Sequence, residues 1–169
     1  MKVAIVLFLL VSPAFAQNMP TDPPVAPGCG TDDAKFEVTK VKGQHPVTQP
    51  DTGKALMYFI EDDREYAPIH KPTMLAGLDG RWVGATNGNS YFSFSVAPGE
   101  HHICASWQSK SQTRAVAHFT AEPGKVYYFA VKNRAGTFQA YGIEFGPLDS
   151  DQGLLLASTF PLSTFQLRR

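Results

Sequence analysis

Residues 90–107 read SYFSFSVAPGEHHICASW, and the pattern on either side of Pro98-Gly99 decides the fold class. With Pro98-Gly99 at the centre of a turn, Phe94 falls opposite Ile103, Phe92 opposite Ala105 and Val96 opposite His101. The other face carries Ser93 with Cys104, Ser95 with His102 and Tyr91 with Ser106. One face is apolar and the other small and polar, the pattern of a strand buried on one side. The stretch therefore predicts a β-hairpin. An L-Pro-Gly centre favours type II geometry, which suits a four-residue loop better than a two-residue one and leaves the faces unchanged.

Working outward, Asp51-Thr52-Gly53, Asp79-Gly80, Asn87-Gly88-Asn89, Pro123-Gly124 and Ala135-Gly136 punctuate further apolar, aromatic or β-branched runs. Candidate strands are 35–40, 54–60, 73–78, 81–86, 90–96, 101–107, 115–121, 125–132 and 137–145. Short strands at this spacing point to an all-β sandwich or barrel. Centring a turn on Asp79-Gly80, a strong hairpin dipeptide, pairs Ala76 with Val83, Met74 with Ala85 and Gly77 with Trp82. Trp82 could there cover bare backbone at Gly77. Centring another on Pro123-Gly124 pairs Val116 with Val131, His118 with Phe129 and Phe119 with Tyr128. Helical patterning is confined to 149–158, where Asp149 or Ser150 can cap a short helix that Gly153 weakens.

The chain opens MKVAIVLFLLVSPAFA, with Lys2, an apolar run and Ala14-Phe15-Ala16, which reads as a secretory signal peptide (1–16) cut near Ala16. Its apolar run is shorter than the ~20 residues of a bilayer span, so no membrane span is expected in the mature chain. Residues 17–28 form a Pro-rich lead-in, 29–158 the β-domain, and 159–169 a C-terminal tail that either docks as a last strand or frays. Fifteen basic and fifteen acidic residues cancel, so nothing in the charge balance points to nucleic acid. Cys29 and Cys104 are the two cysteines. In a secreted or periplasmic setting they are expected to pair, closing a loop worth roughly 4 kcal/mol at most.

Several residues could carry chemistry. His101 and His102 are adjacent, so on a strand they point to opposite faces and cannot chelate one ion together. The five histidines do not meet zinc spacing, and neither a metal nor another cofactor is expected. His118 reads as a packed, hydrogen-bonded histidine. Cys104 with His102 lacks the elbow and oxyanion stabiliser of a cysteine nucleophile. Glu61-Asp62-Asp63-Arg64-Glu65 lacks a calcium-loop pattern and reads as a solvated loop. Most aromatics, Trp107 among them, belong to packing, whereas Tyr91 and Tyr66 are expected to be more exposed.

GKALMYFIEDD (53–63), GLDGRWVGATNGNSYFSFSVAPGEHHICASW (77–107) and AHFTAEPGKVYYFAVK (117–132) together resemble a bacterial family of exported proteins, domain of unknown function 2846. The likeness spans roughly 29–158 and rests on V-x-P-G-x-H followed by P-G-K-x-Y-Y-F. It implies an antiparallel transthyretin-like or immunoglobulin-like β-sandwich of about 7–9 strands, in the periplasm or at the cell surface, and no activity. The expectation is a non-catalytic binding or structural module of the envelope, with an envelope protein, peptide or glycan as partner. Tyr91, His102 and Tyr66, with loop 61–70, are the candidate binding residues. The alternative is a small hydrolase or metal-dependent enzyme using His101 or His102 with Asp62 or Asp63. A partner binder using an exposed edge strand fits the same fold.

Overall fold

The computed structural model describes residues 28–46, 49–65, 71–109, 113–135 and 141–168. Residues 1–16, expected as a signal peptide, the lead-in up to residue 27, Tyr66 and His70 lie outside the described residues. The chain forms β1 (Lys35–Val41), β2 (Ala55–Glu61), β3 (Thr73–Leu78), β4 (Arg81–Asn87), β5 (Ser90–Val96), β6 (Gly99–Trp107), β7 (Arg114–Ala121), β8 (Val126–Ala135), β9 (Tyr141–Leu148), α1 (Ser150–Thr159) and β10 (Leu162–Arg168). Each of the nine expected strands has a counterpart, although residues 137–140 of the ninth lie outside the described residues, and the tail supplies a tenth. Two sheets make the sandwich: a six-stranded one in the order β1-β10-β5-β2-β8-β9 and a four-stranded one in the order β4-β3-β6-β7. Pairing is mostly antiparallel, with β2–β8 and the short β10–β5 contact parallel.

The two dipeptide types at the turns behave differently. Asp79 and Gly80 both take positive φ (48° and 81°), the type I′ geometry that closes a true hairpin between β3 and β4. Gly77 faces Trp82 as expected, but a bulge at Ala76/Gly77 then shifts the register, so Ala76 meets Gly84 and Met74 meets Thr86. Gly77 is covered by the Gly28–Cys29 backbone; the Trp82 ring lies on Gly30 instead.

Neither Pro-Gly turn makes a hairpin. β5 pairs with β2 and β10, while β6 pairs with β3 and β7. Pro98-Gly99 therefore carries the chain from one sheet to the other. Pro123-Gly124 does the same between β7 and β8. The geometry that suits L-Pro-Gly poorly to a tight hairpin suits it to an arch. The face assignment survives the change of partners. Phe92, Val96, Ile103 and Ala105 still share one core, but they meet across the sandwich rather than side by side. Met57, Phe59, Met74, Ala76, Phe129 and Val131 complete that core.

The middle of the outer face of the six-stranded sheet is covered by α1, whose Leu156, Ala157 and the following Phe160 pack on Leu56, Tyr58, Ile60 and Tyr91. Asp149 caps the helix by accepting from the Gln152 N–H at 2.9 Å. Gly153 is buried where a Cβ would collide with the Tyr128 ring, so the residue that weakens the helix lets it lie flat on β8. Cys29 and Cys104 form the expected disulfide, with Cα atoms 5.1 Å apart.

Candidate functional site

β2 is buried along its whole length, because as an inner strand of its sheet it is covered on one face by the core and on the other by α1. The acidic run that ends it is buried too: Glu61, Asp62 and Asp63 are 0 %, 6 % and 1 % exposed. The expectation of a solvated loop is thus corrected. Odd-numbered residues of β2 face the core, and Glu61 and Asp63 continue that face, meeting Asn133 of β8. Asn133 donates its backbone N–H to Asp63 at 3.0 Å and its side-chain amide to the same carboxylate at 2.7 Å. Asn133 Oδ1 in turn accepts from Trp107 Nε1 at 2.5 Å, and the Asp63 N–H donates to Asn89 Oδ1 at 2.8 Å.

Burial, then the Asp63 charge and a hydrogen bond shared with that carboxylate, push the Glu61 carboxyl up to about 8. Glu61 therefore stands protonated at neutral pH, so a neutral carboxyl rather than a second negative charge sits beside Asp63. Glu61 Oε2 and Thr86 Oγ1 are buried without a hydrogen-bond partner among the described residues. Asp62 points the other way. Burial opposes its ionisation, but Arg64 at 2.8 and 2.9 Å and Lys132 outweigh that and hold its carboxyl below the usual range. The adjoining concavity, about 270 Å³, is lined by Asp62, Arg64, Glu65 and Lys132 and includes neither Glu61 nor Asp63. The pair is a buried tie between β2, β8 and the β4–β5 turn, with no route to substrate among the described residues.

The outer face of the four-stranded sheet is different. Here residues 28–36 run across it, pinned by Cys29 to Cys104. Gly28 lies so close that a Cβ would stand 2.7 Å from the His102 carbonyl oxygen. Beside this strap is a cavity of about 410 Å³ bordered by Leu75, Trp82, Ser106, Gln108 and Arg114, with Thr31, Asp32, Ala34 and Lys35 on its other side. Trp82 Nε1 donates to the Thr31 carbonyl at 2.7 Å, which fixes the indole. Arg114 pairs with Asp32 through Nη2, and its Nε is buried without a partner among the described residues. No sequence motif marks this cavity. Its one legible signal was Trp82 on a strand, and the strap that completes it has no regular structure before Lys35.

The expected site residues do not converge. Tyr91 is 1 % exposed beneath α1, which corrects its expected exposure: the helix covers that end of the polar face. His102 is exposed on the outer face of the other sheet, so Tyr91 and His102 lie on opposite sides of the molecule. His101 turns inward from the same strand. Its Nδ1 contacts Asp79 Oδ2 at 2.6 Å and its Nε2 contacts the Ala97 carbonyl at 2.8 Å. Burial disfavours the His101 imidazolium, but these two bonds and the Asp79 charge prevail and raise its affinity for a proton. His118, expected packed, is exposed on β7 because β7 pairs with β6 rather than β8.

The histidines and the carboxylates of the enzymatic alternative sit at opposite ends of the sandwich. His101 adjoins Ala97 beyond the Ala55 end of β2, and Asp62 and Asp63 follow its Glu61 end. Seven residues of strand separate them, about 20 Å at ~3.3 Å per residue. Among the described residues no three His, Cys, Asp or Glu side chains converge on a metal position. No described helix is long and apolar enough to cross a membrane. No protein-family model matches the chain, and no curated protein matches it significantly.

Proposed function

We propose that this protein is a non-catalytic, exported β-sandwich of the bacterial cell envelope that binds a glycan on the outer face of its four-stranded sheet. The observation that carries this reading is the cavity of about 410 Å³ under the residue 31–35 strap. It combines an indole fixed by a hydrogen bond, an apolar floor at Leu75 and a polar rim of Ser106, Gln108 and the charged Arg114. Apolar surface with a few placed polar groups is the usual make-up of a small-ligand site. A sugar ring offers C–H faces to an indole and hydroxyls to the Arg114 guanidinium, while Gln108 is held by the Phe36 backbone, accepting from its N–H at 2.5 Å and donating to its carbonyl at 3.0 Å. The Cys29–Cys104 bridge supports an oxidising compartment, and the leader-like first sixteen residues support export. The resemblance to the exported family of unknown function supports the same location.

Titration with envelope glycan fragments, followed by tryptophan fluorescence, tests the reading. Saturable binding that Arg114→Gln weakens about tenfold or more, the scale of one lost charged hydrogen bond, supports it. Absence of glycan binding, or binding of envelope peptides alone, overturns it.

A further inference from the structure

His102 of β6 and His118 of β7 are direct cross-strand partners in the antiparallel β6–β7 register, on the outer face, with ring centroids 6.5 Å apart. Both are exposed, and neither imidazole makes a hydrogen bond among the described residues. That contrasts with His101, whose two ring nitrogens are both engaged. Opposed residues of an antiparallel pair hold their Cβ atoms about 5 Å apart. Two imidazoles standing on such a base reach one ion at ~2 Å by side-chain rotation alone.

The platform is fixed before any ion arrives. The His102 N–H donates to Asp79 Oδ1 at 2.9 Å, and its carbonyl accepts from the Asp79 N–H at 2.9 Å. Holding the His102 backbone removes part of the ordering cost of binding. The surrounding charge also suits a cation. Glu100 occupies the same face of β6, opposite Thr120, and the ionised Asp79 lies at the adjoining turn.

From this geometry we infer that His102 and His118 form a two-histidine site for a borderline divalent cation, Cu²⁺ or Zn²⁺, whose remaining positions are taken by water. Imidazole nitrogens select these ions over Mg²⁺ and Ca²⁺, and Cu²⁺ is held more tightly than Zn²⁺. The site is separate from the cavity beside Trp82 and does not depend on glycan binding.

The test is calorimetric titration of the oxidised, full-length mature protein with CuCl₂, ZnCl₂ and MgCl₂. The oxidised form has no free thiol to compete for metal, since its two cysteines are bridged. The expected result is one equivalent of Cu²⁺, weaker Zn²⁺ and no Mg²⁺. His102→Asn and His118→Asn each lower Cu²⁺ affinity about tenfold or more, because loss even of an outer partner of a metal ligand costs that much. Far-ultraviolet circular dichroism of each variant confirms the fold. Imidazole ¹⁵N resonances give a second readout: His102 and His118 respond together to substoichiometric Zn²⁺ while His101 does not. Absence of binding, a variant with unchanged affinity, or a response at His45 or His70 in place of the pair overturns the assignment.

Discussion

Replacing Glu61 by glutamine isolates the buried carboxyl pair. In the folded protein this carboxyl is pushed up to about 8 by burial and by Asp63, from an ordinary value of 4.5. Between those two pH values the native protein keeps a proton that the unfolded chain has lost. The unfolded state then binds fewer protons, so stability falls as pH rises from about 4.5 to about 8 and levels off beyond. At about 1.4 kcal/mol per tenfold change in proton affinity, the total loss is on the order of 5 kcal/mol. Water entering the site on ionisation lowers that figure, which is an upper bound. Even half of it is a large share of the roughly 5–15 kcal/mol that holds a domain folded.

Glutamine keeps the shape, donates to Asp63 in place of the carboxyl proton and carries no titratable group. Urea unfolding of both proteins at pH 5, 6, 7 and 8 reads the effect. Near pH 5 the two should be of similar stability. By pH 8 the glutamine variant should be the more stable by several kcal/mol. His101, whose affinity for a proton is raised by Asp79 and the Ala97 carbonyl, contributes equally in both proteins and cancels in the difference. A difference that stays constant from pH 5 to pH 8 refutes the protonated pair.

Other predictions follow from single contacts. Gly153→Ala gains about 1 kcal/mol of helix propensity but drives a methyl into the Tyr128 ring; overpacking of that kind costs about 1–3 kcal/mol. The thermal midpoint should fall, and a rise would show that α1 does not rest on β8 as described. Asp79→Asn keeps a residue that tolerates positive φ and removes the charge facing His101. His101 should then titrate at lower pH by NMR; no movement removes Asp79 as the cause of the raised value. Because that value is raised, the His101–Asp79 pair stabilises the fold below the ordinary histidine range and is lost as pH rises through the folded value. The pH profile of the variant should lack that component.

Strand positions, and the inner faces of β5 and β6, were readable because alternation is a property of each strand by itself. Partners were not, because pairing depends on what the turn can do. Asp79-Gly80 allows two residues at positive φ and gave its hairpin, while both Pro-Gly turns became arches. That one change moved His118 from the core to the surface and brought it beside His102. The acidic run was misread for a related reason. Composition says that Glu61-Asp62-Asp63 is polar, but the unbroken apolar run ALMYFI before it already marks a strand buried on both faces. Tyr91 looked exposed among serines because nothing in its own strand announces α1. The cavity beside Trp82 was the least legible feature, since half its wall is irregular chain held by a disulfide.

That disulfide gives the two proposed sites different dependences. α1 covers the middle of one outer face of the sandwich, and His102, His118 and Arg114 all lie on the other. There Thr31, Asp32, Ala34 and Lys35 wall the cavity through a strap anchored at Cys29, whereas the two histidines stand on paired strands. A Cys29→Ser/Cys104→Ser double variant should lose up to roughly 4 kcal/mol, the ceiling for releasing a loop of this length, where the two cysteines lie 75 residues apart. Serine leaves no thiol to bind metal. Where the variant remains folded, glycan affinity should drop with the loosened strap while Cu²⁺ affinity stays within a few-fold. Equal loss of both would mean that the strap, through Gly28 on the His102 carbonyl, orders the whole face and that the sites are not independent. Retention of both would mean that the strap holds its place by packing of Phe36 on Leu75 and Ala85 without the bridge.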